Sequence, residues 1–219
     1  MANIVFDNVQ RVFHQGGNAF VALQDVNLEV QDREFVAIVG PSGCGKSTFM
    51  KLATGLKRPS KGTVIIGGQE VTGPLKITGM AFQAPSLLPW RTTVANVMLP
   101  LEIVAPQMAQ KDRVARATEL LALVGLTGFG DKRPSELSGG MRQRFGIAQA
   151  LIGDPRLVIV DEPTAGLDPE ERNRFYNLLS TIGEQVVVIL STHIVEDVAV
   201  LCSNMAIIAG ARVVLQGTP

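Results

Sequence analysis

The sequence is poor in cysteine and has no net charge. Cys44 and Cys202 are its two cysteines, too few for a disulfide framework in 219 residues, so we expect a cytoplasmic, reducing location. Twenty basic side chains balance twenty acidic ones, which argues against nucleic acid as the main partner. The sequence also lacks internal repeats and low-complexity tracts.

Long apolar runs are absent as well. None approaches the ~18 residues that a membrane span needs, and we expect Met1-Ala2-Asn3 to begin no signal peptide. Any membrane would therefore be reached through a partner. With 46% hydrophobic and 18% charged residues, the chain is predicted to be globular and to form one domain with a sizeable core.

The most informative stretch is Gly40-Pro41-Ser42-Gly43-Cys44-Gly45-Lys46-Ser47-Thr48, which follows the apolar run Phe35 to Val39. It fits the phosphate-loop pattern between a strand and a helix. Its glycines let backbone N–H groups surround phosphate oxygens at the start of the next helix. Lys46 supplies charge for the outer phosphates and Ser47 a hydroxyl for Mg²⁺. The stretch therefore predicts nucleoside triphosphate binding.

Two carboxylates end the apolar run Leu157 to Val160. Asp161 is predicted to hold the water shell of Mg²⁺, and Glu162 to orient and deprotonate an attacking water. Acidic residues at a strand end are often only solvated, but two in succession downstream of a phosphate loop favour function. His193 ends another buried run, at the edge where open α/β sheets bind ligands.

Phe13 lies in a loop predicted for residues 11 to 17 and has two interpretations. An aromatic ahead of a phosphate loop can stack on a purine base, whereas a phenylalanine between strands is more often core. Phe20 is a weaker second candidate for stacking. Gln83, which closes a predicted strand, carries a neutral amide that could contact Mg²⁺ or the attacking water.

Two further segments each leave two interpretations open. Leu87, Leu88 and Trp90 form an apolar patch in a proline-rich loop, which either contacts a partner or covers a lobe of the same chain. Ser138-Gly139-Gly140 begins a predicted helix, which is either a second anion site or an ordinary capped helix. Asp168 is predicted to cap a helix that begins at Pro169.

The pattern of elements predicts an α/β fold. We expect a P-loop NTPase core of mostly parallel sheet, with an N-terminal antiparallel β subdomain and an inserted α-helical lobe. Within one domain, 1–219, residues 1–85 and 157–219 are predicted to form the core with the antiparallel subdomain. Residues 86–156 are predicted to form the helical lobe.

Taken together, these motifs resemble the ATP-binding subunit of an ABC transporter, and the resemblance covers essentially all 219 residues. They occur in family order. The phosphate loop is followed by Gln83 as the Q-loop residue and by the signature Leu137-Ser138-Gly139-Gly140-Met141. Asp161-Glu162 match the Walker B end, Gly166-Leu167-Asp168 the D-loop and His193 the switch histidine. The resemblance implies that Asp168 binds nucleotide and that His193 is catalytic together with Lys46, Gln83 and Glu162. Met141 departs from the glutamine usual at its position.

The resemblance implies how the motifs work. It implies a head-to-tail homodimer in the ATP-bound state, in which Ser138, Gly139 and Gly140 of one copy contact the γ-phosphate held by the other. Phe13 matches the base-stacking position, where tyrosine is more usual. Residues 87–91 would receive a helix of a transmembrane permease subunit, and a substrate-binding protein could complete the system. The chain would then lie in the cytoplasm, peripheral to the inner face of the cell membrane.

The subfamily pattern is mixed. The part from Gly40 to Arg144 resembles importers of nitrate, sulfonates and taurine, whereas the part from Phe145 onward resembles other ABC subfamilies. This mismatch motivates the hypothesis of an engineered chain joined near the signature. Import of a small anion is the leading expectation. Export, a soluble ABC ATPase, and a cassette that is not coupled to transport are the alternatives.

Overall fold

The computed structural model describes residues 3 to 219, so the expectation for Met1 and Ala2 lies outside the described residues. Ten strands and six α-helices make up this part of the chain. The strands are β1 (Ile4–Gln15), β2 (Asn18–Val30), β3 (Phe35–Val39), β4 (Lys61–Ile66), β5 (Gln69–Glu70), β6 (Thr78–Ala81), β7 (Leu157–Asp161), β8 (Val187–Thr192), β9 (Asn204–Ala209) and β10 (Arg212–Gly217). The helices are α1 (Lys46–Ala53), α2 (Thr93–Val104), α3 (Gln110–Leu123), α4 (Gly139–Leu151), α5 (Pro169–Gly183) and α6 (Val195–Leu201).

A six-stranded sheet with the order β10-β9-β3-β8-β7-β6 forms the centre of the fold. The pairs from β9 to β6 are parallel, and β10 pairs antiparallel with β9 at the edge. Strand β3 is entirely apolar, and β7 and β8 are apolar up to their polar last residues, because both faces of a parallel sheet are buried. The predicted central strands are confirmed at these positions.

A second, antiparallel sheet has the order β2-β1-β4-β5. The loop predicted for residues 11 to 17 is wrong over most of its length, because β1 continues to Gln15 and only Gly16 and Gly17 form the turn. Cross-strand pairing from Arg11↔Leu23 to Gln15↔Asn18 supplies the ladder that extends the strand. The prediction also missed the two-residue strand β5.

The antiparallel sheet is attached to the parallel core by aromatic packing. Phe6 of β1 stacks on Phe49 of α1, with 4.2 Å between ring centroids and 19° between ring planes. Both side chains are buried in a cluster that also contains Leu23, Ile38 and Ile159. One core therefore spans both sheets and holds α1, the helix after the phosphate loop, against them.

Helices α2, α3 and α4 lie between β6 and β7 in the chain and share a second core cluster with one face of the parallel sheet. The C-terminal end of α4 approaches β6 so closely that a Cβ on Gly79 would lie 2.1 Å from the carbonyl oxygen of Ala150. Only glycine permits this approach. The predicted fold class, a mostly parallel α/β core with an antiparallel subdomain and inserted helices, is confirmed.

Among residues 3 to 219, no helix combines the length and the hydropathy needed to cross a membrane.

Candidate nucleotide site

The predicted functional motifs follow neighbouring strands of the parallel sheet. The phosphate loop follows β3, His193 follows β8, Glu162 follows β7, and Gln83 lies two residues beyond β6. These four strands are adjacent in the order β3-β8-β7-β6, and each pair is parallel. Their carboxyl ends therefore meet at one edge of the sheet, where ligands bind in open α/β folds.

The phosphate loop borders a cleft of about 360 Å³. Gly45 has φ +118°, and a Cβ there would lie 2.6 Å from the carbonyl oxygen of Ala22, so the loop excludes a side chain at this position. Helix α1 begins at Lys46, which turns its free backbone N–H groups toward the loop. The cleft is lined by Phe13, Phe20, Ala22, Ser42, Gly43, Gly45, Lys46, Ser47, Thr48, Gln83 and Glu162.

Lys46 is buried, and its ammonium group contacts the loop itself. Its Nζ donates hydrogen bonds to the carbonyl oxygens of Gly40 at 2.7 Å and Pro41 at 3.2 Å. The same Nζ lies 3.7 Å from Oε1 of Glu162. Three further loop residues, Gly40, Pro41 and Cys44, are not among those lining the cleft.

The side chain of Glu162 contacts residues from the other predicted motifs. His193 Nδ1 lies 3.4 Å from Glu162 Oε1, and Gln83 Nε2 donates to Glu162 Oε2 at 3.3 Å. Glu162 has φ +46°, a left-handed conformation that is uncommon for a residue with a side chain. Its N–H donates to the carbonyl oxygen of Ser191 at 3.0 Å, which holds this conformation beside β8.

Asp161 lies at the end of β7, and its carboxylate accepts a hydrogen bond from the hydroxyl of Ser191. The same hydroxyl oxygen accepts from the backbone N–H of Glu162 at 3.2 Å. Ser191 thus fixes the carboxylate of Asp161 and the backbone of Glu162, a role that sequence reasoning missed because a serine inside a buried strand gives no signal of its own. Ser47 and Gln83 line the cleft, whereas Asp161 does not.

The two aromatic candidates face each other at the end of the β1–β2 hairpin. Phe13 pairs with Phe20 across the strands, and both line the cleft. The Arg11 guanidinium lies 4.7 Å from the ring centroid of Phe13, as in a cation–π contact. Phe20 is 63% exposed and Phe13 is half-buried, so neither belongs to the hydrophobic core.

The signature segment and the D-loop aspartate lie away from this cleft. Ser138 caps α4 by accepting from Met141 N at 3.2 Å, and Asp168 caps α5 by accepting from Glu171 N at 2.8 Å. None of Ser138, Gly139, Gly140 and Asp168 lines the cleft. A Cβ on Gly139 would meet nothing within 4 Å, so this end of the helix presents open backbone.

The side chains of the proline-rich loop fit both interpretations left open by the sequence, since one is packed against the chain and another is exposed. Leu87 packs against the helical core cluster, whereas Trp90 is 68% exposed. Asn96 is buried and holds the loop, since its side chain accepts from Leu88 N at 2.7 Å and donates to the carbonyl oxygens of Leu88 and Arg91. A separate groove of about 480 Å³ nearby is lined in part by Phe82, Pro100, Leu101 and Val104.

Comparison with known proteins agrees with these motifs. A family model described as ABC transporter matches residues 23–165. An uncharacterised ABC transporter ATP-binding protein of Methanocaldococcus jannaschii is 41% identical over 208 residues, which cover 94% of this chain and 77% of that protein. A methionine import ATP-binding protein, MetN, of Latilactobacillus sakei is 39% identical over 220 residues; the match covers 96% of this chain and 63% of the relative.

Solved structures give the same result. A dimeric ATP-binding cassette in a post-hydrolysis state, bound to ADP and Pi, superimposes with a TM-score of 0.88 at 30% identity and covers 98% of both chains. The protein cbiO1 of Clostridium perfringens, part of the ABC transporter complex cbiONQ, matches with a TM-score of 0.86 at 26% identity. The match covers 99% of this chain and 88% of the cbiO1 chain. The chain belongs to the ABC transporter family, as an ATP-binding domain with ATPase activity.

Proposed function

We propose that this chain drives import of a small anion by hydrolysing ATP at two sites shared between two copies, with Glu162 as general base. The proposal rests on one observation: the side chains of Lys46, Gln83 and His193 all contact the carboxylate of Glu162. A carboxylate beside a phosphate loop can align a water and accept its proton. Lys46 would contact the β- and γ-phosphates and His193 the γ-phosphate.

Mg²⁺ fits the oxygen donors at this edge of the sheet. The hydroxyl of Ser47, the amide oxygen of Gln83 and the carboxylate of Asp161 are hard oxygen ligands of the kind that Mg²⁺ takes alongside phosphate and water. Within residues 3–219 no cluster of three or more His, Cys, Asp or Glu side chains is suited to hold a metal ion. When bound, the ion would offset phosphate charge.

The signature supports a dimer. The nucleotide cleft contains no signature residue, yet Ser138 and Gly139 present a capped helix start with open backbone, which suits an anion. A second copy placed head to tail would bring this helix start to the γ-phosphate in both sites at once, with two-fold symmetry. The matched cassette structure is itself described as dimeric.

A permease subunit is the proposed partner at the proline-rich loop. Trp90 is exposed while Arg91 is fixed by an ion pair with Glu102 at 2.9 Å, so the loop presents an apolar side chain on a rigid support. Partner surfaces often combine an aromatic anchor with such support. This contact would place the chain at the inner face of the cell membrane, and a substrate-binding protein would complete the import system.

The direction of transport is supported by the methionine import relatives, whose shared region covers about two thirds of their length. Nitrate, a sulfonate or taurine stays the predicted cargo, based on the resemblance of the part from Gly40 to Arg144. The proposed join near the signature likewise stays a hypothesis.

The dimer and the general base can be tested together by size-exclusion chromatography with light scattering. Glu162→Gln should bind ATP, lose turnover and elute as a dimer with Mg-ATP but as a monomer without nucleotide. Glu162→Gln combined with Gly139→Asp should bind ATP and stay monomeric, because a negative charge then faces the γ-phosphate. Unchanged turnover of Glu162→Gln would rule out the general base, and a dimer of the double variant would rule out the shared site.

The membrane partner needs a separate measurement. Trp90→Asp should reduce the fraction of the protein that sediments with membranes of the source cells, while leaving the ATPase activity of the purified chain unchanged. Val195→Asp, at a residue that is 77% exposed on α6, is the matched control. Equal sedimentation of the two variants would contradict a permease contact at this loop.

A further inference from the structure

Three hydroxyl groups converge on the carboxylate of Asp197, a fully buried residue of α6. Tyr176 OH donates to Oδ1 at 2.7 Å, and Thr164 Oγ1 and Thr192 Oγ1 each donate to Oδ2 at 2.6 Å. The three donors are themselves buried, with exposed fractions of 1% for both threonines and 5% for Tyr176. Asp197 therefore joins α6 to three other segments of the chain.

Burying a carboxylate is costly unless its oxygens are satisfied. Within residues 3–219 the hydrogen bonds to the carboxylate of Asp197 come from hydroxyl groups alone, and short O–H to carboxylate bonds are among the stronger ones in proteins. Burial and the hydrogen bond to Asp197 raise the pKa of the Tyr176 hydroxyl, so this group stays a proton donor at neutral pH. An apolar side chain would cost less free energy to bury here. We therefore infer that the carboxylate serves to hold the three hydroxyl groups, and the segments that carry them, in a defined arrangement.

Two of the three hydroxyls belong to segments that carry the proposed catalytic groups. Thr192 directly precedes His193, and its Oγ1 also accepts from Ile194 N at 3.0 Å, which closes the backbone around the histidine. Thr164 lies two residues after Glu162. One buried carboxylate thus holds the backbones from which Glu162 and His193 reach each other at 3.4 Å.

Tyr176 differs from the two threonines in the segment to which it belongs. It lies on α5, a helix that packs against α6 and carries none of the residues that contact Glu162. Its hydroxyl contributes to the same charge as Thr192, but it does not fix a segment bearing a catalytic side chain. The two threonines therefore connect Asp197 to segments that carry proposed catalytic residues, whereas Tyr176 connects it to α5, which carries none.

We propose that Asp197 is a positioning residue for hydrolysis, which sets the placement of His193 relative to Glu162 through Thr192 and Thr164. The inference rests on the proposed roles of Glu162 and His193. Asp197 itself is fully buried and does not line the nucleotide cleft. Because displacements of about 1 Å can lower a rate by up to about 100-fold, loosening this cluster should affect the chemical step more than ATP binding.

Two single-hydroxyl variants test the proposal against a merely structural role. Thr192→Val and Tyr176→Phe each remove one donor from the same carboxylate and keep the shape of the side chain. Thr192→Val also removes the acceptor of Ile194 N, so Thr164→Val, which removes a donor from Asp197 alone, is measured beside it. Thr192→Val should lower kcat about tenfold with KM within about twofold, whereas Tyr176→Phe should leave kcat within about twofold. Equal losses of kcat in the two variants, or no loss in either, would overturn the proposal.

A double-mutant cycle gives an independent readout. Asp197→Asn keeps the volume but replaces an acceptor oxygen by an amide that faces hydroxyl donors. In a His193→Ala background, Asp197→Asn should lower kcat by less than about twofold further, because groups that act as a unit are not additive. Full additivity would show that Asp197 acts by another route, and should Asp197→Asn fail to fold, the same cycle is run with Thr192→Val.

Failure of this inference is distinguishable from failure of the proposed function. If Glu162→Gln and His193→Ala lower kcat while Thr192→Val does not, the catalytic roles stand and the positioning role of Asp197 is wrong. If Glu162→Gln leaves kcat unchanged, the proposed general base is wrong and the inference is overturned with it.

Discussion

The ammonium nitrogen of Lys46 lies 3.7 Å from the carboxylate oxygen Oε1 of Glu162, and both side chains are mostly buried, with exposed fractions of 6% and 17%. The two residues come from different motifs, one after β3 and one after β7. Their contact exists because β8 alone separates these strands in the sheet. A positive charge in this position can attract the outer phosphates of a nucleotide and also hold the carboxylate in place.

Replacing Lys46 by alanine should weaken ATP binding at least about tenfold, because a charge-assisted contact to phosphate is lost. Isothermal titration with ATP measures this directly. Lys51→Ala is the matched control, since Lys51 is an exposed residue of the same helix and should leave the affinity unchanged. An unaltered affinity of Lys46→Ala would contradict the assignment of the phosphate loop.

Phe13→Leu should lower the affinity for ATP about fivefold, which corresponds to the roughly 1 kcal/mol that aromatic stacking adds. Phe13→Tyr should keep the affinity, because the ring is preserved. Phe20→Leu is the comparison on the facing strand, measured by the same titration. If Phe20→Leu weakens binding and Phe13→Leu does not, stacking belongs to Phe20.

Phe49→Ala should lower the free energy of unfolding by about 3–5 kcal/mol, because it removes a fully buried ring from the stack with Phe6. Urea unfolding followed by circular dichroism measures the change. Val214→Ala, at an exposed position of β10, should change stability by less than about 0.5 kcal/mol. A loss below about 1 kcal/mol for Phe49→Ala would contradict the shared core of the two sheets.

Cys202 gives a pH-dependent prediction. Burial, together with the charge of Asp197, raises the pKa of this thiol to about 12 from its ordinary value of 9.0. The folded state therefore keeps the thiol protonated while the unfolded state ionises, so the stabilisation is complete below pH 9 and is lost as the pH rises from 9 toward 12. Urea unfolding between pH 8 and about 10.5 should show a smaller loss of stability in Cys202→Ala than in the parent chain. Parallel curves for the two proteins would contradict the shift.

The sequence predicted the buried strands and the motifs that follow them, because a continuous apolar run with a glycine-rich or acidic end has few other interpretations. It did not predict that β1 extends through Phe13, since this part of the strand exists only through pairing with β2. The role of Ser191 depends on its neighbour in the sheet, and no sequence pattern separates Asp197 from the acidic residue beside it on the same helix. Contacts between distant segments decide these cases, and composition does not encode them.

Because α4 meets the sheet at the contact between Gly79 and Ala150, a small rotation there would move the other end of the helix by a larger distance. Its C-terminal end is pressed against the edge of the parallel sheet, while its first residue, Gly139, belongs to the signature. A helix of 13 residues is about 20 Å long. A rotation of about 5° at the glycine contact would therefore move the signature by nearly 2 Å, more than half the length of a hydrogen bond. Small adjustments at the sheet edge would thus change how far the signature extends toward the phosphate that we propose it contacts.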